Sequence, residues 1–302
     1  MHPMSANCSF RAQPIRQARL TPVSTHWILN TMNTFILLDL ALIDGVHIAS
    51  RYSESALPSW IAPVYNEDAY SVTPLLIDVD GARDAGEAES MIALVNARKP
   101  QLHASFIDTE FELAELTRHF RQFICIKTEA GDELTLRFAD CAVLPVLASY
   151  LNSSQWATLT APMGRWLVHG RDGRLKELSV ARPGQQPAST PLVLTDEQIA
   201  RIKDAMGTDR LLANLRNLRP AEPLGRSSEE AYRWASEARA MWSAAGRADD
   251  ALLLVLARGI FQTNGRILNL PSLRQMLTNP DPASLRKDLR QLVEMNSYES
   301  HK

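Results

Sequence analysis

Ala181-Arg182-Pro183-Gly184-Gln185-Gln186-Pro187-Ala188-Ser189-Thr190-Pro191-Leu192 is the stretch on which the architecture turns. Its three prolines lack amide donors and restrict φ. With Gly184 and little apolar content, the stretch suits neither a helix nor a central strand. It reads as a Pro-rich linker, placed at 181–194. Before it, strand-like and helix-like segments alternate; after it, only helical periodicity remains. The expected fold is therefore an α/β N-terminal domain over 34–180, a mixed sheet with flanking helices, followed by an all-helical C-terminal domain over 195–298.

Outward from the linker toward the N-terminus, Arg165–His169 and Arg174–Leu178 flank Gly170-Arg171-Asp172-Gly173 and predict a hairpin. Ile124–Thr128 and Glu133–Phe138 predict another around Glu129-Ala130-Gly131-Asp132. Cys141–Leu151 reads as a helix. Thr109 is expected to cap a helix over Glu110–Phe123, where Phe111, Leu113, Leu116, Phe120 and Phe123 recur at helical spacing. Leu102–Ile107 is strand-like, and Ala85–Arg98 is a helix that stops before Pro100. Pro74–Val79 is a buried strand ending at the turn signal Asp80-Gly81. Gly45–Ser55 is read as a helix, and the apolar run Thr34–Leu42 as a buried strand. Residues 1–33 are expected to be a weakly ordered extension, with Met32 as an alternative start. Arg11, Arg16 and Arg19 have a targeting flavour, yet no uninterrupted apolar region follows them.

Toward the C-terminus, Thr195-Asp196-Glu197-Gln198 has capping-box spacing. Amphipathic segments follow at 196–206, 208–218, 227–245, 248–262, 271–278 and 282–295. No self-similar period marks a solenoid. Trp234, Trp242 and Tyr232 stand among alanines, glutamates and arginines and are expected to pack in a helical core.

The 302 residues are 45% hydrophobic and 22% charged, with a formal net charge of -2, so no global basic field exists to hold nucleic acid. Cys8, Cys125 and Cys141 are an odd, widely spaced set without a CxxC pair, which fits a reducing, cytoplasmic compartment. The longest apolar run, Phe35–Ile43, is interrupted by Asp39 and falls far short of the roughly 20 residues of a membrane span.

Motifs for chemistry are scarce. The chain has no GxSxG elbow, HExxH pair, Walker loop or GxGxxG, and no two histidines are spaced to share a zinc ion on a helix. No cofactor and no metal are therefore expected. Asp78 and Asp80 put two carboxylates on one strand face, though Asp-x-Asp-Gly is more often a polar turn. His169-Gly170-Arg171-Asp172 is a hairpin tip, and Cys125 and Cys141 are read as small core residues. An enzyme, a hydrolase or transferase using Asp78, Asp80, His119 or Asp140, is the rival class.

The strongest signal is Arg118-His119-Phe120-Arg121-Gln122-Phe123 followed by Leu136-Arg137-Phe138-Ala139-Asp140. Charges interleaved with apolar residues must pair if they face inward, because an unpartnered buried charge costs several kcal/mol. Asp39 and Asp140 are the expected partners of Arg121 and Arg137, in bidentate geometry. Asp39, His119, Arg121, Arg137 and Asp140 thus form the candidate set, a structural polar network or a partner-binding surface. The local excess of arginine at Arg210, Arg216, Arg219 and Arg226, and of acid over 67–89, suits a protein partner.

With Phe35-Ile36-Leu37-Leu38-Asp39 and Pro74-Leu75-Leu76-Ile77, these two stretches resemble the adaptor/chaperone domain of bacterial type VI secretion over about residues 34–180. In that family the helix runs His-Leu-Arg-Arg-Phe and the later strand Leu-Arg-Phe-Tyr-Asp-Pro. His119, Arg121, Phe123, Arg137, Phe138, Asp140 and Leu144 fit; Gln122, Ala139 and Cys141 depart. The resemblance implies a cytoplasmic chaperone, with no enzymatic activity of its own, that binds an effector and loads it onto the VgrG spike protein. A two-lobed molecule, monomeric when unbound, would clamp an effector segment between its lobes.

Overall fold

The computed structural model describes residues 32–43, 57–65, 72–181, 188–218 and 224–297. The helix expected over Gly45–Ser55, most of the N-terminal extension and the middle of the linker lie outside these residues.

The first half is built on strand β1 (Asn33–Asp39), whose successive side chains point to opposite faces. Both faces are buried. Phe35 and Leu37 enter one core with Leu76, Ile107, Phe120 and Trp166, whereas Ile36 and Leu38 enter another with Leu75, Ile77 and Met91. This is why the run is continuously apolar and not alternating. β2 (Ile61–Pro63), β3 (Pro74–Asp78), β4 (Ala104–Thr109), β7 (Met163–His169) and β8 (Leu175–Leu178) complete a six-stranded sheet of order β2-β3-β1-β4-β7-β8. Every pair in it is antiparallel. The mixed pairing lies in a second, three-stranded sheet: β5 (Cys125–Thr128) runs antiparallel to β6 (Glu133–Thr135) and parallel to β9 (Val193–Leu194).

The flanking helices are α1 (Val79–Asp84), α2 (Ala88–Val95), α3 (Leu113–Arg121), α4 (Leu144–Tyr150) and α5 (Ser153–Thr160). α1 stands where a polar turn was expected, because the Asp78 carboxylate accepts from the amides of Asp80 and Gly81 and so nucleates a helical turn. α3 starts later than expected. Its cap is Glu112, in a capping box with Glu115, while Thr109 closes β4. α5 was not anticipated; Asn152 and Gln155 form its capping box.

α6 (Asp196–Ala205), α7 (Gly207–Leu218), α8 (Ser228–Ala244), α9 (Asp250–Gln262), α10 (Pro271–Leu277) and α11 (Pro282–Ser297) form the helical half, close to the expected spans. Thr195 and Gln198 make the expected capping box. Trp234 and Trp242 are buried with Leu256, Ile260 and Leu289 in the helical core. Gly265 sits at φ 77 against the Trp234 ring, where a Cβ would approach a ring carbon to 2.6 Å, so both backbone and space require glycine.

The linker region is less separate than its composition implies. Leu192 and Leu194 are buried in the first core, and Ile199 and Ile202 of α6 pack against that same core. Gln155 donates to the Val193 carbonyl at 2.7 Å, and Gln198 donates to the Tyr150 carbonyl at 2.9 Å. At the β7–β8 turn, Arg171 reaches across to α7 and α8. Its guanidinium bonds Asp209 at 2.5 Å and lies 4.1 Å from the centre of the Tyr232 ring.

Arg171→Ala is expected to lower stability by about 1–2 kcal/mol, the sum of a half-buried ion pair and a cation–π contact. Urea unfolding measures this, and an unchanged midpoint would show that the contact does not hold the halves together.

Candidate functional site

The candidate residues separate into three places. Asp39 ends β1, and Asp140 follows β6, brought back by the chain after Phe138. Arg137 lies between them, and one of its terminal nitrogens is 3.0 Å from Asp39 Oδ2 and 3.3 Å from Asp140 Oδ2. The arrangement is a single nitrogen shared by two carboxylates, not the expected bidentate fork. The carboxylates' remaining oxygens accept from the amides of Ala41 and Ala142 at 3.0 and 2.8 Å. Both acids are almost fully buried, whereas the Arg137 side chain is 46% exposed.

This asymmetry shows in their ionisation. Burial raises the Asp140 carboxyl; the Arg137 charge and the Ala142 amide bond only partly offset that, and the Asp39 and Asp209 charges add to the rise. Burial works against the Arg137 charge, but Asp140 and Asp39 outweigh it and hold the guanidinium above its usual range. Tyr65 is raised by burial and by the nearby Asp39.

Arg121 does not join this network, correcting the expected carboxylate pairing. It donates to the backbone carbonyls of Val64 and Pro63 at 3.1 and 3.2 Å, tying α3 to the end of β2. Those carbonyls are acceptors outside any regular ladder, and a guanidinium satisfies two at once. His119 is elsewhere again. Its Nε2 donates to the Leu159 carbonyl at 2.8 Å, and its ring lies against Phe123 at 5.0 Å. Burial lowers its pKa, with the Leu159 bond opposing.

Asp78 and Asp80 do not share a strand face, since Asp78 is the cap of α1 and Asp80 lies within it. Cys141 is a core residue, as expected: its thiol bonds the Ala104 carbonyl, and burial pushes it up to about 12. Cys125, in contrast, is exposed. Among the described residues, no three His, Cys, Asp or Glu side chains are grouped to hold a metal ion, and no helix is long and apolar enough to cross a membrane.

A cleft of about 530 Å³ with a mainly apolar lining opens between the α/β half and the start of the helical half. Ile126, Leu134 and Leu194, from one face of the small sheet, form part of its apolar lining with Leu147, Ile202 and Leu212. Arg137 and Asp140 lie on its wall, so the buried ion cluster shapes one side of it. Its rim carries Arg98, Lys99, Lys203, Arg210 and Arg216. Of these only Arg210 and Arg216 belong to the arginine run noted in the sequence. The others come from α2's exit and α6, and periodicity gives no sign that they converge. Nearby, His103 is buried and donates from Nε2 to the Leu94 carbonyl at 3.0 Å, and among the described residues its Nδ1 has no partner. Burial lowers its pKa as well.

Residues 34–158 match the family described as "Domain of unknown function (DUF4123)". The match runs from β1 into α5 and includes the Asp39–Arg137–Asp140 cluster; the helical half lies outside it. No curated protein and no solved structure matches the chain.

Arg137→Met is expected to destabilise by about 2–3 kcal/mol. That is less than the 3–5 of a fully buried broken pair, because this arginine is half exposed. In the Arg137→Met background, Asp39→Asn should recover part of the loss in urea unfolding, since it removes one of the stranded charges.

His119 and His103 have depressed folded pKa values, so the stability they contribute is present above the unfolded value of about 6.5 and falls as pH drops toward the folded values. His119→Gln, which keeps a donor for Leu159, should shrink the loss of stability between about pH 7 and pH 5. An unchanged slope would contradict the neutral, buried imidazole.

Proposed function

We propose that this protein is a cytoplasmic adaptor/chaperone that binds a type VI secretion effector and helps load it onto the VgrG spike, acting by binding and not by turnover. The observation that carries this reading is the family match at 34–158, which falls within the stretch where the residues resemble the type VI adaptor domain. The match is to a family of undescribed function, so the role itself rests on that resemblance.

The geometry supports a binding role. Arg121 and Arg137, the arginines that could have served an active site, are engaged by backbone carbonyls and by two carboxylates. The cleft has an apolar lining and a charged rim, the composition of a surface that shields a partner's apolar residues while charges select it. An adaptor must also release its cargo, and a cleft of this size with exposed rim charges favours moderate over extreme affinity.

The rival reading, a hydrolase or transferase, has one observation in its favour. Asp140 lies on the cleft wall with its carboxyl raised by burial. Its other proposed groups are scattered: Asp78 caps α1 and His119 is bonded to Leu159.

Co-expression with the effector and VgrG encoded beside its gene is expected to yield a stoichiometric complex by size-exclusion chromatography with light scattering. The unbound protein should run as a monomer. Absence of a complex with every neighbour-encoded protein would contradict the adaptor reading.

A further inference from the structure

Resting on the adaptor reading, we propose that the inter-lobe cleft receives an acidic amphipathic helix of the partner, its apolar face on the cleft lining and its carboxylates on the basic rim.

Charge is the first argument. Seven cations line the cleft, Arg98, Lys99, Arg137, Arg171, Lys203, Arg210 and Arg216, against two acids, Asp140 and Asp209. Both acids are already neutralised, Asp140 by Arg137 and Asp209 by Arg171. Arg210 reaches Asp250 only at 4.0 Å. Among the described residues, Arg98, Lys99, Lys203 and Arg216 have no carboxylate within ion-pair distance. Arg98 spends one donor on the Leu42 carbonyl. Arg216 is held below its usual pKa first by partial burial and then by the Arg98 charge, with Asp209 opposing only in part, which places two guanidinium groups in one field. The whole chain carries a net charge of -2, so this basic rim is a local accumulation set against the average.

The form of the occupant follows from what the cleft offers. Its lining comes from the small sheet and from α4, α6 and α7, and its apolar part is made by Ile126, Leu134, Leu147, Leu194, Ile202 and Leu212. An extended segment crossing these apolar side chains would bury backbone N–H and C=O groups wherever it left the short edges of β6 and β9, at a cost of order one to several kcal/mol each. A helix satisfies its own backbone and presents apolar side chains at i, i+3, i+4 and i+7, the spacing that fills such a groove. Acidic residues flanking that stripe would meet the rim. A nucleic acid would match the charge but not the apolar lining.

The probes are three fluorescent peptides of about 18 residues, or five helical turns. One carries leucines at i, i+3, i+4 and i+7 with glutamates flanking them, the second has lysines in place of the glutamates, and the third is the acidic peptide broken by two prolines. Binding to the full chain is read by anisotropy at low and physiological salt. The acidic helix should bind at least about tenfold more tightly than either control and should weaken with salt, since rim charges are screened over about 8–10 Å. Lys203→Glu combined with Arg216→Glu should abolish the preference; both residues reach solvent, Arg216 with part of its side chain covered, and circular dichroism checks that the fold is kept. Equal binding of acidic and basic peptides, undiminished binding of the proline-broken peptide, no binding of any, or indifference to the double reversal would each overturn the proposal.

The same double variant, tested against the neighbour-encoded effector, separates the two claims. A complex that forms equally well with it leaves the adaptor role standing and removes the cleft as its site. Peptide discrimination without any effector complex keeps the cleft assignment and removes the type VI cargo.

Discussion

One guanidinium nitrogen, on Arg137, stands between two carboxylates that water scarcely reaches. Two buried acids placed this close would repel each other and would each suffer desolvation; a cation between them, with amides on the outer oxygens, makes the arrangement tolerable. The consequence is topological. Asp39 is the last residue of the central strand, Asp140 begins the turn into α4, and Arg137 joins its near neighbour Asp140 to Asp39, 98 residues before it in sequence. The end of the sheet, the entry to α4 and the wall of the cleft are thereby set by one local charge balance. Because Arg137 remains half exposed, the cluster also gives that wall a polar surface.

The second constraint is the sharing of cores. β1 feeds two apolar clusters from its two faces, which fixes its register strictly, since a one-residue slip would exchange them. Leu192, Leu194, Ile199 and Ile202 carry the same first core past the Pro-rich stretch. With Arg171 gripping Asp209 and Tyr232 from the other side, the cleft has walls braced at both ends. A groove of defined shape loses less entropy when it is filled than one that must assemble around its ligand.

Much of this was legible in the sequence, and what was not has physical causes. The helices of the second half kept nearly their expected limits because Thr195, Ser227 and Asp249 accept from the first free amides and mark where each helix starts. α5 escaped because Gln155–Thr160 are buried without interruption, so no amphipathic period exists to be seen; only Asn152 with Gln155 announced it. Arg121 was expected to seek a carboxylate, yet two carbonyls at the end of β2 serve equally well, and a sequence does not reveal which carbonyls lack ladder partners. Arg137 with Asp140 was readable as a nearby pair, whereas the convergence of Arg98, Lys203 and Arg216 on one rim arises from folding alone.

The most direct test of the account is hydrogen exchange on the full chain, alone and in complex with the effector encoded beside it. Protection concentrated at 98–103, 134–143 and 199–216, the segments that enclose the cleft, is the predicted result. Protection confined to the outer strand β8 or to the face formed by α10 and α11, with those three segments unchanged, would contradict it.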